Sequence, residues 1–179
     1  GDFNLIYIQT SSEWAASYES WLYDLQYFEN LIIDLNNIYK LPYDVDIFLQ
    51  ECNESNAWYQ PDPHDNDNPY IVMCYELMSE TDYRFTQYYE RAYGYDWSTD
   101  EQIDDLDYSV LNVIENIFYH ELGHAFLDVY DITYSGTQEN VADQFAAYYS
   151  LEFPYLDDPE NTVGQDVMTD AAWDYWLIS

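Results

Sequence analysis

Two histidines four residues apart, in His120-Glu121-Leu122-Gly123-His124, constrain this chain more than any other feature. For their imidazoles to meet, they must share one face of a helix, where positions i and i+4 lie about 40° apart. The flanking sequence predicts that helix. It starts at Ser98 or Thr99 and runs to about Val129, with Ile103, Leu106, Val110, Val113, Ile114, Ile117 and Leu127 on its apolar face. Two imidazoles so placed can meet at one zinc ion. Glu121 then projects beside the ion, where it can take a proton from a water. With three histidines in the chain, an accidental match to this pattern arises at a rate of roughly 0.3%. The plain alternative is a pair of surface histidines on an acidic helix.

A zinc site needs a third protein ligand, and the sequence offers two carboxylates. Glu139 follows His124 beyond a turn at Gly136, and Asp143 lies one helical turn further on the same face of a helix read over 139–151. In the first reading Glu139 completes a tetrahedral site, with water in the fourth position. Asp143 then hydrogen-bonds the far nitrogen of a ligand histidine and fixes its tautomer. In the second, Asp143 is the ligand and Glu139 a surface residue.

The rest of the chain supplies a scaffold. Residues 4–9 read as a strand. Thr10 and Glu13 form a capping-box pattern that opens one long amphipathic helix, ended near Pro42. Residues 44–50 alternate, with Val45, Ile47 and Leu49 on one side, as in a half-buried strand. Short strands follow at 56–59 and 70–75, then helices at 79–93, 98–129, 139–151 and 167–178. Strand, helix, strands and then helices give an α+β fold with one sheet. No repeat or linker divides the chain, so residues 1–179 form one domain. Cys52 and Cys74 fall near the ends of neighbouring strands, where a disulfide is sterically possible; two free buried thiols are the alternative.

Composition excludes several functions. Three Lys+Arg stand against 36 Asp+Glu, a formal net charge of −33. No basic stripe exists for nucleic acid, and an anionic membrane surface is repelled. No apolar run of 18 residues is present to cross a bilayer. The 48% hydrophobic and 20% aromatic content supplies a core, so the chain is not disordered. Its self-repulsion requires screening salt, bound cations or a basic partner. His64 sits among Asp62, Asp65 and Asp67 without the Gly and terminal Glu of an EF-hand. That loop reads as solvated, as do the clusters Asp104-Asp105-Asp107 and Asp157-Asp158-Glu160. The chain begins at Gly1, and we expect a processed N-terminus and a secreted or periplasmic protein in a salty or calcium-rich medium. An acidic cytosolic protein of a salt-accumulating organism is the alternative. We expect a monomer, with additional cations on the acidic surface.

His120-Glu121-Leu122-Gly123-His124 followed by Glu139-Asn140-Val141-Ala142-Asp143 resembles the gluzincin branch of zinc metallopeptidases, of which thermolysin is the familiar member. Asn56-Ala57-Trp58-Tyr59 is similar to the edge strand by which gluzincins bind substrate backbone. Together with Glu51 to Tyr59 and Cys74 to Leu77, these motifs look like a family of compact metallopeptidases, and they span residues 41–150. The resemblance implies a zincin-like domain whose small mixed or antiparallel sheet packs on the helix carrying the histidine pair. It implies Zn2+ as cofactor, His120, His124 and Glu139 as ligands, Glu121 as catalytic base, and Asp143 supporting a ligand. Asn56 and Ala57 become contacts to an extended peptide or protein substrate added as a strand; read from the residues alone, Asn56 is equally a turn residue. The chain departs from the family in having no histidine after His124 to stabilise an oxyanion. Tyr59, Tyr75 and Tyr134 are candidates for that task.

These features predict a zinc-dependent peptidase. The near absence of Lys and Arg would limit self-cleavage by a peptidase selective for basic residues. Two other readings compete. One is a zinc-stabilised, non-catalytic binding module for a basic partner protein, which has no need of Glu121. The other is a metal-dependent enzyme acting on a non-peptide amide.

Overall fold

The strand at Val45–Gln50 is alternately buried and half-buried, with Val45, Ile47 and Leu49 fully enclosed. The alternation follows the two-residue period of a pleated strand. In the computed structural model, which describes residues 1–61, 68–152 and 162–178, it is a central strand of a four-stranded sheet. The elements run β1 (Phe3–Tyr7), α1 (Glu13–Leu25), α2 (Tyr27–Ile38), β2 (Val45–Gln50), β3 (Ala57–Gln60), β4 (Tyr70–Cys74), α3 (Tyr75–Tyr93), α4 (Asp100–Val129), α5 (Gln138–Glu152) and α6 (Thr162–Ile178). The spatial order of the sheet is β1-β2-β4-β3. β1, β2 and β4 are parallel, with Leu5 opposite Ile47 and Ile47 opposite Ile71. β3 is antiparallel to β4 and forms one edge, with Trp58 opposite Val72. The fold is therefore α+β in a single small domain with a mixed sheet. The loop carrying His64 and the cluster Asp157-Asp158-Glu160 lie outside the described residues.

Two expectations for the first helical stretch are corrected. The N-cap is Ser12, whose hydroxyl accepts from the Ala15 N–H at 3.3 Å, rather than Thr10. The long helix is broken at Gln26, which takes φ 54° and serves as the C-cap of α1 and the N-cap of α2. The apolar spacing runs straight across Gln26, so periodicity alone hides the break. Leu22 on α1 and Phe28, Ile32 and Leu35 on α2 still reach the core. α3 starts at Tyr75, earlier than expected, because β4 runs directly into it at Cys74.

The disulfide between Cys52 and Cys74 is present, its Cα atoms 5.6 Å apart. It ties the loop before β3 to the β4–α3 junction. Glu76 reinforces the tie, its carboxylate accepting from the backbone N–H groups of Cys52 at 2.9 Å and Asn53 at 2.6 Å. Both links fix the point from which β3 departs.

α4 is the spine. It packs against α3, α5, α6 and the β3–β4 side of the sheet. Phe118, Tyr119, Leu122 and Ala125 are fully buried, and burying each large apolar side chain contributes about 1.5–3 kcal/mol. No helix among the described residues is long and apolar enough to cross a membrane.

Phenols stand where basic side chains would in other proteins. Tyr18 donates to Asp82 at 2.7 Å, Tyr95 to Asp105 at 2.6 Å, Tyr119 to Glu115 at 2.8 Å and Tyr7 to Glu29 at 3.0 Å. Glu115, itself buried, also accepts from Tyr27. A carboxylate taken from water needs donors, and in this chain 22 tyrosines are available against three Lys+Arg.

Candidate metal centre

The helical spacing of α4 places His120 and His124 one turn apart, and their Nε2 atoms face each other at 3.1 Å. α5 crosses beside them and brings Glu139 into the same space. Its Oε2 lies 3.3 Å from Nε2 of His120 and 3.5 Å from Nε2 of His124. The three donor atoms thus form a nearly equilateral triangle. A tetrahedral zinc ion with bonds of about 2.0–2.1 Å separates its ligand atoms by about 3.4 Å, so this donor set fits that ion. His120 and His124 are largely buried, whereas the Glu139 side chain is open to solvent.

Asp143, one turn beyond Glu139, meets the opposite side of His120. Its Oδ1 accepts from Nδ1–H at 2.8 Å, which leaves Nε2 with a free lone pair. Of the two carboxylates, Glu139 lies within 3.5 Å of both imidazoles, and Asp143 hydrogen-bonds His120. Burial, and then the neighbouring His120 charge, push His124 below the usual histidine range, while Glu139 pulls the other way. A neutral imidazole is the form that binds a metal.

The close approach of α5 depends on Gly123. A Cβ there would lie 3.1 Å from Cα of Ala142 and 3.2 Å from Cβ of Phe145. Those two residues lie between and beyond the two carboxylates of α5. A larger residue at position 123 would push Glu139 away from the histidines.

Glu121 is buried beside this cluster. Burial holds its carboxyl above the usual range, opposed by the His120 charge and a hydrogen bond from the Tyr59 backbone N–H. The Tyr59 bond means that the free edge of β3 faces Glu121. Between the two opens a cleft of about 600 Å³. One wall is Asn56, Ala57, Trp58, Tyr59 and Pro61; the other is His120, Glu121, His124 and Asp128, with Glu139 at one end. Asn56 also behaves as a turn residue, its Oδ1 accepting from the Ala57 N–H at 2.9 Å.

Of the three tyrosines considered for the oxyanion, only Tyr59 lines the cleft, and its hydroxyl donates to Asp128 at 2.6 Å. Tyr75 is fully enclosed in the core and Tyr134 is exposed, and neither lines the cleft. Asp128 escaped sequence reasoning. The signal was available, since it continues the i+4 row of His120 and His124, but one acid among 36 carries little weight alone.

A family model described as "Putative metallopeptidase" matches residues 7–178. No curated protein and no solved structure gives a significant match.

Proposed function

The chain belongs to that metallopeptidase family, and on this premise we propose that it is a zinc-dependent, gluzincin-like endopeptidase. The observation that carries the reading is the triangle of Nε2, Nε2 and Oε2 at 3.1, 3.3 and 3.5 Å, open to a cleft and flanked by a buried glutamate. Structural zinc sites are closed by four protein ligands, whereas catalytic sites keep a position open. Among the described residues three such donors meet here.

His120, His124 and Glu139 would hold the ion, and Asp143 would keep His120 in the tautomer that presents Nε2. Zinc, when bound, supplies Lewis-acid polarisation of the substrate carbonyl and acidifies water. Glu121 takes the proton of the attacking water and delivers it to the departing amine. Burial above the usual carboxylate range makes it a stronger base, closer to working pH. The outer edge of β3 would receive an extended substrate through backbone groups, in exchange for the bonds that the Ala57 and Tyr59 N–H groups make to Asn56 and Glu121. Such binding orients the scissile bond without requiring a particular side chain. The disulfide supports an oxidising, extracytoplasmic location.

The test is zinc content of the purified protein, together with casein hydrolysis by wild type and Glu121→Gln at low and high salt. One zinc per chain, with activity lost in the variant, is the expected result. Retained zinc with no activity in either form would favour a binding module. Absence of zinc under every condition would overturn the ligand assignment.

A further inference from the structure

The cleft holds a carboxylate that neither metal binding nor proton transfer uses. Asp128 lies one helical turn beyond His124 on the same face of α4 and lines the cleft. It is exposed, and its Oδ2 is fixed by the Tyr59 hydroxyl at 2.6 Å. The phenol orients the carboxylate without neutralising it, because a neutral donor leaves the charge in place. Among the described residues no Lys or Arg pairs with it; the two ion pairs to a basic side chain are both made by Arg84.

The other surfaces of the cleft narrow the choice of ligand. Among the described residues its walls carry no Leu, Ile, Val, Met or Phe, so these offer no large aliphatic pocket for a hydrophobic side chain. It offers two aromatic residues, Trp58 and Tyr59, beside a carboxylate that no Lys or Arg among the described residues neutralises. A flat or compact cation matches that pair of features, through a charge-assisted hydrogen bond and contact with a ring face. The four residues from His124 to Asp128 rise about 6 Å along the axis, and an extended chain advances about 3.3 Å per residue. A side chain reaching Asp128 therefore belongs to a residue within about two positions of the bond cut.

We propose that Asp128 is the specificity-determining residue of this cleft, and that the preferred substrate carries an Arg or Lys side chain within two residues of the scissile bond. The cation sits against the Tyr59 ring and pairs with the Asp128 carboxylate. The proposal rests on the peptidase reading, which names the reaction; Asp128 names the substrate class.

The experiment uses quenched-fluorescent peptides that differ at one position at a time, carrying Arg, Lys, Gln or Glu up to three residues either side of the cut. Wild type should favour Arg or Lys over Gln by about tenfold in kcat/KM at one position, the size of one charge-assisted hydrogen bond. Asp128→Asn should remove that ratio, and Asp128→Lys should turn it toward Glu. Binding of the matched Arg and Gln peptides to the Glu121→Gln protein should show the same ratio, again lost when Asp128→Asn is added. A wild type without preference at any position overturns the proposal. So does a preference that survives Asp128→Asn, which would mark steering by the whole −33 charge and would fade with added salt in both proteins. The peptidase reading fails separately, if wild type cleaves no peptide or Glu121→Gln cleaves as fast; the binding series then still decides for or against Asp128.

Discussion

Replacing Gly123 by Ala sets two effects of known sign against each other. Position 123 is inside α4, where Ala is favoured over Gly by about 1 kcal/mol. With free space around it, the variant would be more stable. The added methyl instead falls 3.1 Å from Cα of Ala142 and 3.2–3.3 Å from Cβ and Cδ1 of Phe145. Two of those three atoms are backbone or next to it, so no side-chain rotation relieves them. α5 has to retreat by a few tenths of an ångström. Overpacking of this kind costs about 1–3 kcal/mol, which leaves a net loss of about 1 kcal/mol once helix propensity is subtracted. For a chain of this length that is a fall in Tm of about 3 °C, against a rise of similar size if the contact were slack.

The same retreat carries Glu139 away from the imidazoles. Zinc should therefore raise the melting temperature of Gly123→Ala less than that of wild type, because stabilisation by a ligand follows its affinity. Thermal melts of the metal-free protein, and of the protein in a zinc titration, read both effects. A variant that melts higher than wild type and gains as much from zinc would refute the argument that Gly123 sets the α4–α5 distance.

Two further outcomes follow from the same structure. Loss of the Cys52–Cys74 link, which closes a separation of 22 residues, should cost about 3 kcal/mol in the chain-entropy estimate. Cys52→Ala with Cys74→Ala should accordingly lower Tm by about 10 °C and abolish the effect of reductant seen in wild type; an unchanged Tm would refute it. The pH dependence has a definite sign. Asp107 and Asp170 are held above the usual Asp range, burial being the first cause. A folded-state pKa above the unfolded one means that stability falls as pH rises through that window and returns below it. Glu51 and Asp96, held low by serine and backbone donors, stay ionised at pH 5 and lose nothing there. His124, held below the usual range by burial, works the other way and loses stability as pH falls, so the two acids are read by difference. Between pH 8 and pH 5 the change in Tm of the metal-free protein should be more favourable in wild type than in Asp107→Asn with Asp170→Asn in the same salt, and an equal change in both would count against it.

What the sequence revealed of the site is what local geometry determines. His120 and His124 meet because i and i+4 share a helix face, and Glu139 and Asp143 reach two sides of His120 from one turn of α5. The burial of Val45, Ile47 and Leu49 follows from a period of two. Other features depend on how elements pack, and no local pattern encodes them. β3 faces Glu121 only because the strand order places it at the edge of the sheet. Tyr59 was one of 22 tyrosines until the β3–α4 contact set its hydroxyl on Asp128. The break at Gln26 is silent because a left-handed residue between two helices leaves the apolar spacing almost intact.

The scarcity of basic residues links the stability of the fold to the chemistry of the cleft. In the core, phenols hold the carboxylates, as Tyr27 and Tyr119 hold Glu115. A phenol satisfies the oxygen atoms but leaves the negative charge, so local satisfaction does nothing for the net repulsion among 36 acids. In the cleft the same device appears at Asp128, where Tyr59 orients the group and leaves it charged. Glu139 is likewise exposed and faces the imidazoles of His120 and His124. Among the described residues no Lys or Arg offsets the charge at these two points, which leaves both open to a bound cation. A divalent ion between His120, His124 and Glu139 would offset one, and a cationic substrate side chain at Asp128 the other. On this view the site's preference for cations and the chain's need for screening are one electrostatic property, and a Lys or Arg introduced into the cleft wall would improve stability at the expense of substrate binding.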